Sequence, residues 1–312
     1  MTYSSNESGV PQGRVLMINP PYVHQKDVDH ADKSAQLPFG LLYAGELLEQ
    51  RGAKVSYHDC QLERLVDRNE IDAYDNYGIT VMGTQNIASA NHVYKTLIDI
   101  GIKPEQIFFG GQGAEGLIDE ATGDDKEFQM LFPGSNIVSR ESLYTRNYWS
   151  TTIRLQLKKI PSEHKDIYFN NELVLAWSQG CLYGCNFCGA QIMQKERFYD
   201  VKENLKTYLE IARELDKKSL DFYVTALDFG QQALPHGNPG LLNAALGDVI
   251  MMSERYGIEV HNRALTRADS YLALVRDDAL LKRIHDAGFY QFGIGADGAS
   301  SVDVLRAMHR RS

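Results

Sequence analysis

The chain has 312 residues, of which 43% are hydrophobic and 23% charged, which excludes a collagen, a coiled coil and a largely disordered chain. The length allows about two domains, and the net charge of −9 argues against nucleic acid as the main ligand. No apolar run is long enough to span a membrane and the first residues lack a signal peptide's apolar core, so we expect a cytoplasmic protein without a membrane partner.

Short apolar runs alternate with amphipathic stretches through the first half of the chain. This pattern is typical of a parallel sheet covered by helices. Strands are predicted to begin near residues 14, 54, 77 and 106, with helices at about 38–52 and 88–100. With right-handed crossovers, this order predicts a doubly wound, Rossmann-like domain over residues 14–140, after a disordered stretch at 1–13.

Charged and turn-rich sequence breaks this pattern from residue 119 to 170, so we expect a linker over 141–170. Regularity then returns as four strand–helix units. Their strands are predicted at 172–180, 221–229, 258–266 and 289–297, and their helices near 201–216, 241–256, 277–287 and 300–309. Repeated units of this kind indicate a β/α barrel, which we expect over residues 171–312.

Three of the four cysteines, Cys181, Cys185 and Cys188, lie close together in the sequence CLYGCNFC. Four cysteines are too few for a disulfide framework in a chain of this size. Three thiolates on a short loop can converge on an iron–sulfur cluster and leave one iron unsaturated. A structural zinc site would need a fourth ligand, such as His164 or His236, and buried thiols are a third interpretation.

The stretch SQGCLYGCNFC at the end of a predicted strand resembles the signature of the radical S-adenosylmethionine superfamily. The resemblance implies that the three cysteines hold a [4Fe-4S] cluster, that its fourth iron binds S-adenosylmethionine, and that Phe187 lies beside the adenine. It also implies cofactor contacts at the carboxyl ends of the later strands. These are Thr225, Asp228, Arg267 and Asp297, the last at a position where the family more often has glutamate.

The amino-terminal half resembles the cobalamin-binding domain that precedes the radical barrel in one subgroup of this superfamily. INPPY, the following QLPFGLLYAGELLEQRGAKVSYHDC and the later FFGGQ carry the resemblance. It implies corrin contacts at strand ends, namely Asn19, Pro20, Pro21, Thr84, Gln85, Gly110, Gly111 and Gln112. The sequence lacks the Asp-x-His-x-x-Gly motif, so we expect no protein histidine below the corrin. A domain that has lost the cofactor and only packs on the barrel is the alternative.

The resemblance implies an enzyme that reductively cleaves S-adenosylmethionine, abstracts hydrogen from an unactivated carbon and transfers a methyl group from cobalamin. Rearrangement or ring formation without methylation is one alternative, and a non-catalytic partner subunit is another. The expected partners are an electron donor such as flavodoxin or ferredoxin and a small-molecule or peptide substrate. About four strand–helix units are predicted where barrels of this superfamily have about six, so we expect a truncated barrel or an edge closed by a partner.

Overall fold

The computed structural model describes residues 10–21, 35–63, 71, 73–118, 123–139, 143, 153–183 and 197–295. The chain divides into two compact units, Met1–Ile167 and Tyr168–Ser312. Each unit is built on a parallel sheet. Within the described ranges, no helix has both the length and the apolar character that crossing a bilayer requires.

The first unit contains a five-stranded parallel sheet. Its strands are β1 Arg14–Asn19, β2 Lys54–Asp59, β3 Asn76–Thr80, β4 Ile107–Gly110 and β5 Asn136–Ile137. Their order in the sheet is β2-β1-β3-β4-β5. The winding direction reverses between β1 and β3, and a sheet of this type opens a crevice there, beyond the carboxyl ends of its strands. The four predicted strands are confirmed, whereas β5 is too short to show a periodicity.

Helices cover both faces of this sheet. They are α1 Phe39–Gln50, α2 Ile87–Asp99, α3 Gln112–Glu115, α4 Lys126–Leu131 and α5 Arg154–Lys159, and α6 Ser162–Phe169 lies at the boundary of the units. Val15 and Met17 of β1 belong to the apolar cluster that includes Leu41 of α1. Ile18, which points to the other face, belongs to the cluster that includes Val93 of α2. Alternate side chains of β1 therefore pack into two hydrophobic cores, one on each face of the sheet, as a doubly wound sheet requires.

The predicted disordered stretch, 1–13, is described only from residue 10 onward. Val10 is buried and packs in the cluster around α1. The carbonyl oxygen of Gly13 accepts a hydrogen bond from the Lys54 amide at 2.7 Å. The end of this stretch is therefore ordered, because it is tied to β2 and buries an apolar side chain.

The segment 141–170, predicted as a linker, contains α5 and α6. Gln156 of α5 is fully buried, and its Nε2 donates hydrogen bonds to Glu49 at 2.7 Å and Glu46 at 3.3 Å. The Tyr57 hydroxyl of β2 donates to Gln156 Oε1 at 3.0 Å. These bonds hold α5 against α1 and β2, so this part of the segment belongs to the packed first unit.

The second unit contains a four-stranded parallel sheet and a small antiparallel pair. The strands are β6 Leu173–Ala176, β7 Ser178–Gln179, β8 Arg197–Phe198, β9 Ser219–Thr225, β10 Glu259–Arg267 and β11 Phe289–Gly295. The parallel order is β11-β10-β9-β6, and β7 pairs with β8. The four predicted strand positions are confirmed, except that the first strand is divided into β6 and β7.

Helices cover one side of the strands in this unit. They are α7 Val201–Glu214, α8 Pro239–Tyr256, α9 Ala268–Val275 and α10 Asp278–Asp286. Along β9, Phe222 is buried while Asp221 is exposed. The Tyr208 ring of α7 lies 5.3 Å from the Phe222 ring, and its hydroxyl donates to the Val174 carbonyl at 2.8 Å. Helix packing thus accounts for the period-two burial of the strand.

Candidate functional site

The cysteine loop follows β7, the two-residue strand that comes directly after β6. Gly180 has φ +97°, a conformation that glycine adopts without steric cost, and Cys181 beyond it is half-exposed. The other predicted ligands, Cys185 and Cys188, and the predicted adenine neighbour Phe187 lie outside the described residues. The structure thus places one of the three thiols at the carboxyl edge of the sheet, where β/α folds keep their chemistry.

Tyr183, two residues after Cys181, is held by residues at the end of β10. The Cζ atom of Arg267 lies 3.9 Å from the centroid of the Tyr183 ring, and the Tyr183 hydroxyl donates to Asp269 Oδ2 at 3.1 Å. Burial raises the pKa of Tyr183 to about 12, so the hydroxyl remains protonated and able to donate at neutral pH. These contacts fix the start of the cysteine loop.

Arg267, predicted to meet the carboxylate of S-adenosylmethionine, already has an anionic partner. Its Nε donates to Asp269 Oδ1 at 3.1 Å and its Nη2 donates to Asp269 Oδ2 at 3.3 Å. Burial alone would raise the pKa of Asp269, but hydrogen bonds from Arg267 and Tyr183 outweigh it and lower that pKa. A cofactor carboxylate would share the guanidinium with Asp269, and the predicted contact stays a prediction.

Asp228, also predicted as a cofactor contact, is fully buried at the end of β9. Its Oδ1 accepts hydrogen bonds from Thr266 Oγ1 at 2.8 Å and from the Arg267 amide at 3.1 Å. Its Oδ2 accepts one from Ser270 Oγ at 2.6 Å. The carboxylate therefore joins the ends of β9 and β10 to the first turn of α9. These bonds give Asp228 a structural role at the strand ends. Its contact with a cofactor stays a prediction.

The Thr225 side chain links the end of β9 to the end of β6. Its hydroxyl donates to the Leu175 carbonyl at 3.3 Å and accepts from the Trp177 amide at 3.4 Å. These two bonds bring the ends of two predicted site strands together. Thr225 is half-buried, so its cofactor contact stays a prediction, and Asp297 lies outside the described residues.

The zinc interpretation requires a histidine near the thiols. The His236 ring lies edge-on to the Tyr183 ring at 6.1 Å, so it is close to the cysteine loop, whereas His164 lies on α6. Within the described part of the chain, no group of three or more His, Cys, Asp or Glu side chains is arranged to hold a metal ion. Metal analysis of the protein separates zinc from iron.

The predicted corrin contacts after β1 lie at the carboxyl edge of the first unit's sheet. Asn19 is buried, and its Nδ2 donates to Asp59 Oδ1 at 3.0 Å, an atom that also accepts from the Gln61 amide at 2.9 Å. Pro20 is buried and Pro21 is half-exposed. The Asn19 carboxamide thus joins β1 to β2, and its contact with a corrin stays a prediction.

Glycines bring the loops after β3 and β4 into close contact. Gly111 has φ +103°, and a Cβ on it would lie only 2.6 Å from the Val81 carbonyl oxygen. A Cβ on Gly113 would lie 2.9 Å from the Gly83 Cα, and the Gly113 amide donates to the Val81 carbonyl at 2.8 Å. The two loops therefore form one continuous surface at the strand ends.

Polar and apolar side chains stand on this surface. Exposed residues there include Thr84, Gln85 and Gln112, while Gly110 is half-buried. Met82, which sequence reasoning did not single out, is 58% exposed. Its sulfur lies 3.7 Å from the position that a Cβ on Gly40 would take, so Met82 lies beside the first turn of α1. An apolar residue between a strand and a glycine is the signal that could have identified it.

The fold resembles those of two solved enzymes. Over 96% of its length the chain matches the cobalamin-dependent S-adenosylmethionine radical enzyme OxsB, solved with aqua-cobalamin and S-adenosylmethionine bound, with a TM-score of 0.65 and 17% identity. Over 91% of its length it matches the radical S-adenosylmethionine methyltransferase TsrM from Kitasatospora setae, solved with tryptophan and aza-SAM, with a TM-score of 0.57 and 12% identity.

The chain spans 46% of OxsB and 59% of TsrM, about half the length of the solved proteins it matches. No protein-family model and no curated protein matches the sequence. At these identities the likeness concerns the fold. The chain therefore has the fold of cobalamin-dependent radical S-adenosylmethionine enzymes, and the resemblance predicted from its sequence is confirmed at that level.

Proposed function

We propose that this chain forms the core of a radical S-adenosylmethionine enzyme that also binds cobalamin. It cleaves S-adenosylmethionine reductively at a [4Fe-4S] cluster, abstracts hydrogen from an unactivated substrate carbon and methylates that carbon. Reduced flavodoxin or ferredoxin serves as its electron donor.

The position of Cys181 carries this proposal. The residue lies just beyond β7, the short strand that follows β6 of the parallel sheet, on a loop that contacts residues following β9 and β10. Carboxyl ends of parallel strands are the usual place of chemistry in such folds. Supporting evidence comes from the solved neighbours, since one TsrM structure is described with cobalamin and a [4Fe-4S] cluster bound.

The residues present fit an iron–sulfur cluster. Cys181 is half-exposed, and a thiolate is the ligand that such clusters require. Together with Cys185 and Cys188 it would supply three ligands and leave one iron for S-adenosylmethionine. Bound to this chain, the cluster supplies one electron for cleavage of S-adenosylmethionine, and cobalamin supplies a methyl group to the substrate. Arg267 and Thr225 would orient S-adenosylmethionine from the neighbouring strand ends.

The strand-end surface of the first unit fits a flat cofactor. Close packing at Gly111 and Gly113 keeps the backbones of the two loops in contact, and glycine lets a ligand approach the main chain. The exposed amides of Gln85 and Gln112 can pair with the amide groups at the edge of a corrin. The exposed thioether of Met82 offers apolar contact beside them.

Anaerobic reconstitution with iron and sulfide tests the cluster. We expect about four iron atoms per chain, and 5′-deoxyadenosine after addition of reductant and S-adenosylmethionine. Cys181→Ala should lose both. Cys60→Ala is the matched control and should retain both, because Cys60 is buried in the first unit and burial raises the pKa of its thiol.

Two other outcomes would contradict parts of the proposal. Zinc in place of iron after reconstitution would support the zinc interpretation, and a loaded cluster without 5′-deoxyadenosine would support a non-catalytic subunit. Methyl-labelled S-adenosylmethionine tests the reaction class. Label recovered in methylcobalamin supports methylation, whereas protein-bound cobalamin that stays unlabelled during turnover supports rearrangement or ring formation.

A further inference from the structure

Gln231, in the turn Phe229–Ala233 after β9, contacts the cysteine loop on both sides of Cys181. The Leu182 amide donates to Gln231 Oε1 at 2.8 Å, and Gln231 Nε2 donates to the Gly180 carbonyl at 3.4 Å. The side chain is fully buried. Both ends of one carboxamide therefore bind the two peptide groups that flank a single cysteine.

The turn that contains Gln231 does not depend on these side-chain bonds. Its backbone is closed by bonds from the Gln231 amide to the Asp228 carbonyl and from the Leu234 amide to the Gln231 carbonyl, both 3.3 Å. The side chain of the neighbouring Gln232 stabilises the loop that follows it, since its Oε1 accepts a hydrogen bond from the Asn238 amide. Of two adjacent buried glutamines, one stabilises its own turn and the other is directed at the cysteine loop.

We propose that Gln231 is a positioning residue for the cluster: it fixes the peptide groups around Cys181 and so sets the direction of the thiolate. This inference rests on the proposed function. Gln231 also engages the Leu182 N–H, one residue from the sulfur, and keeps that donor from a cluster sulfur. Hydrogen bonds to the sulfurs are among the factors that set the reduction potential. They stabilise the more negative, reduced cluster, so their exclusion favours a low potential.

The test compares Gln231→Leu, Gln231→Glu and wild type in the full chain, with Gln232→Leu as the matched control. Glutamate keeps the acceptor for Leu182 and loses the donor to Gly180, whereas leucine loses both. Amide hydrogen exchange at Leu182, measured before the cluster is reconstituted, should be about tenfold faster in Gln231→Leu, the effect of one lost hydrogen bond of ordinary strength. Gln231→Glu should be intermediate, and Gln232→Leu should match wild type.

The second measurement is the reduction potential of the reconstituted cluster, followed by EPR. Gln231→Leu should shift it to a less negative value, because the released amide becomes available to a sulfur, with Gln231→Glu nearer to wild type. Far-UV circular dichroism identifies a variant that fails to fold, in which case Gln231→Glu carries the comparison. Wild-type exchange and potential in the folded Gln231 variants would overturn the inference. A wild-type chain that binds no cluster would instead contradict the proposed function.

Discussion

The Asp228 carboxylate connects three pieces of the second unit by accepting from Thr266, the Arg267 amide and Ser270. Because it is fully buried, Asp228→Ala would leave buried donors without an acceptor. We expect the free energy of unfolding to fall by about 2–4 kcal/mol. Denaturant unfolding followed by circular dichroism measures this. The control Asp221→Ala, at an exposed position of β9, should change the free energy of unfolding little. An equal loss of stability in both variants would contradict the structural role of Asp228.

A pH-dependent contribution to stability is expected from Asp269. Burial opposes its ionisation, but hydrogen bonds from Arg267 and Tyr183 lower its pKa in the folded protein, below the unfolded value of about 3.9. The stabilisation is therefore present above that unfolded pKa and is lost as the pH falls through the lower folded pKa. The free energy of unfolding of Asp269→Asn should be lower than that of wild type at pH 7, and this difference should become smaller below about pH 4. Unfolding curves at both pH values test this, and a constant difference would contradict it.

Sequence reasoning identified the cysteine loop but not what holds it. Tyr183 stands between two predicted ligands, yet its partners Arg267 and Asp269 lie far away in the chain. Gln231 likewise gives no local signal, since a glutamine after a strand has many roles. Such contacts depend on which strand ends are neighbours, and that is a property of the folded sheet.

At the scale of elements, the junction of β4 and α3 depends on Gly111. Its φ of +103° disfavours any side chain, and a Cβ at this position would approach the Val81 oxygen to 2.6 Å. Gly111→Ala should lower the free energy of unfolding by about 2–4 kcal/mol, because strain adds to the clash with main chain. Gly52→Ala is the matched control.

Gly52 has a similar φ of +93° and nothing within 4 Å of a Cβ. Its substitution should therefore show the conformational cost alone, about 1 kcal/mol. Thermal unfolding of the two variants separates the steric contribution from the conformational one. Equal losses would mean that the Val81 loop moves away from Gly111 without cost.

The elements that could be predicted well from the sequence are those in which apolar residues recur regularly or continuously over several residues. β1, β2 and β9 to β11 alternate or remain apolar over several residues, and α2, α7 and α8 carry apolar stripes of helical spacing. α9 was missed because β10 ends at Arg267 and the helix begins at Ala268 without a glycine or proline between them. β7 and β8 have two residues each, too few for any period.

At the scale of the whole molecule, two parallel sheets give two separate strand-end edges. The first has Gly111 and Met82 at its edge, and the second has Cys181 and Arg267. The alternation of strands and helices predicted both sheets, because parallel strands need crossovers of this length. It did not predict that α5 would pack on the first sheet through Gln156, since that contact joins residues far apart in the chain.

Because the proposed ligands of the two cofactors belong to different units, each cofactor should be lost separately. Cys181→Ala should bring iron to background while cobalamin content, measured by absorbance after loading, stays at the wild-type level. Gly110→Leu should bring cobalamin to background while the iron content stays at the wild-type level. A Cβ at Gly110 would have the Val138 oxygen 3.7 Å away, an ordinary contact, so the larger side chain should obstruct the strand-end surface without breaking β4. Loss of both cofactors in either variant, with folding intact by circular dichroism, would contradict the assignment of one cofactor to each unit.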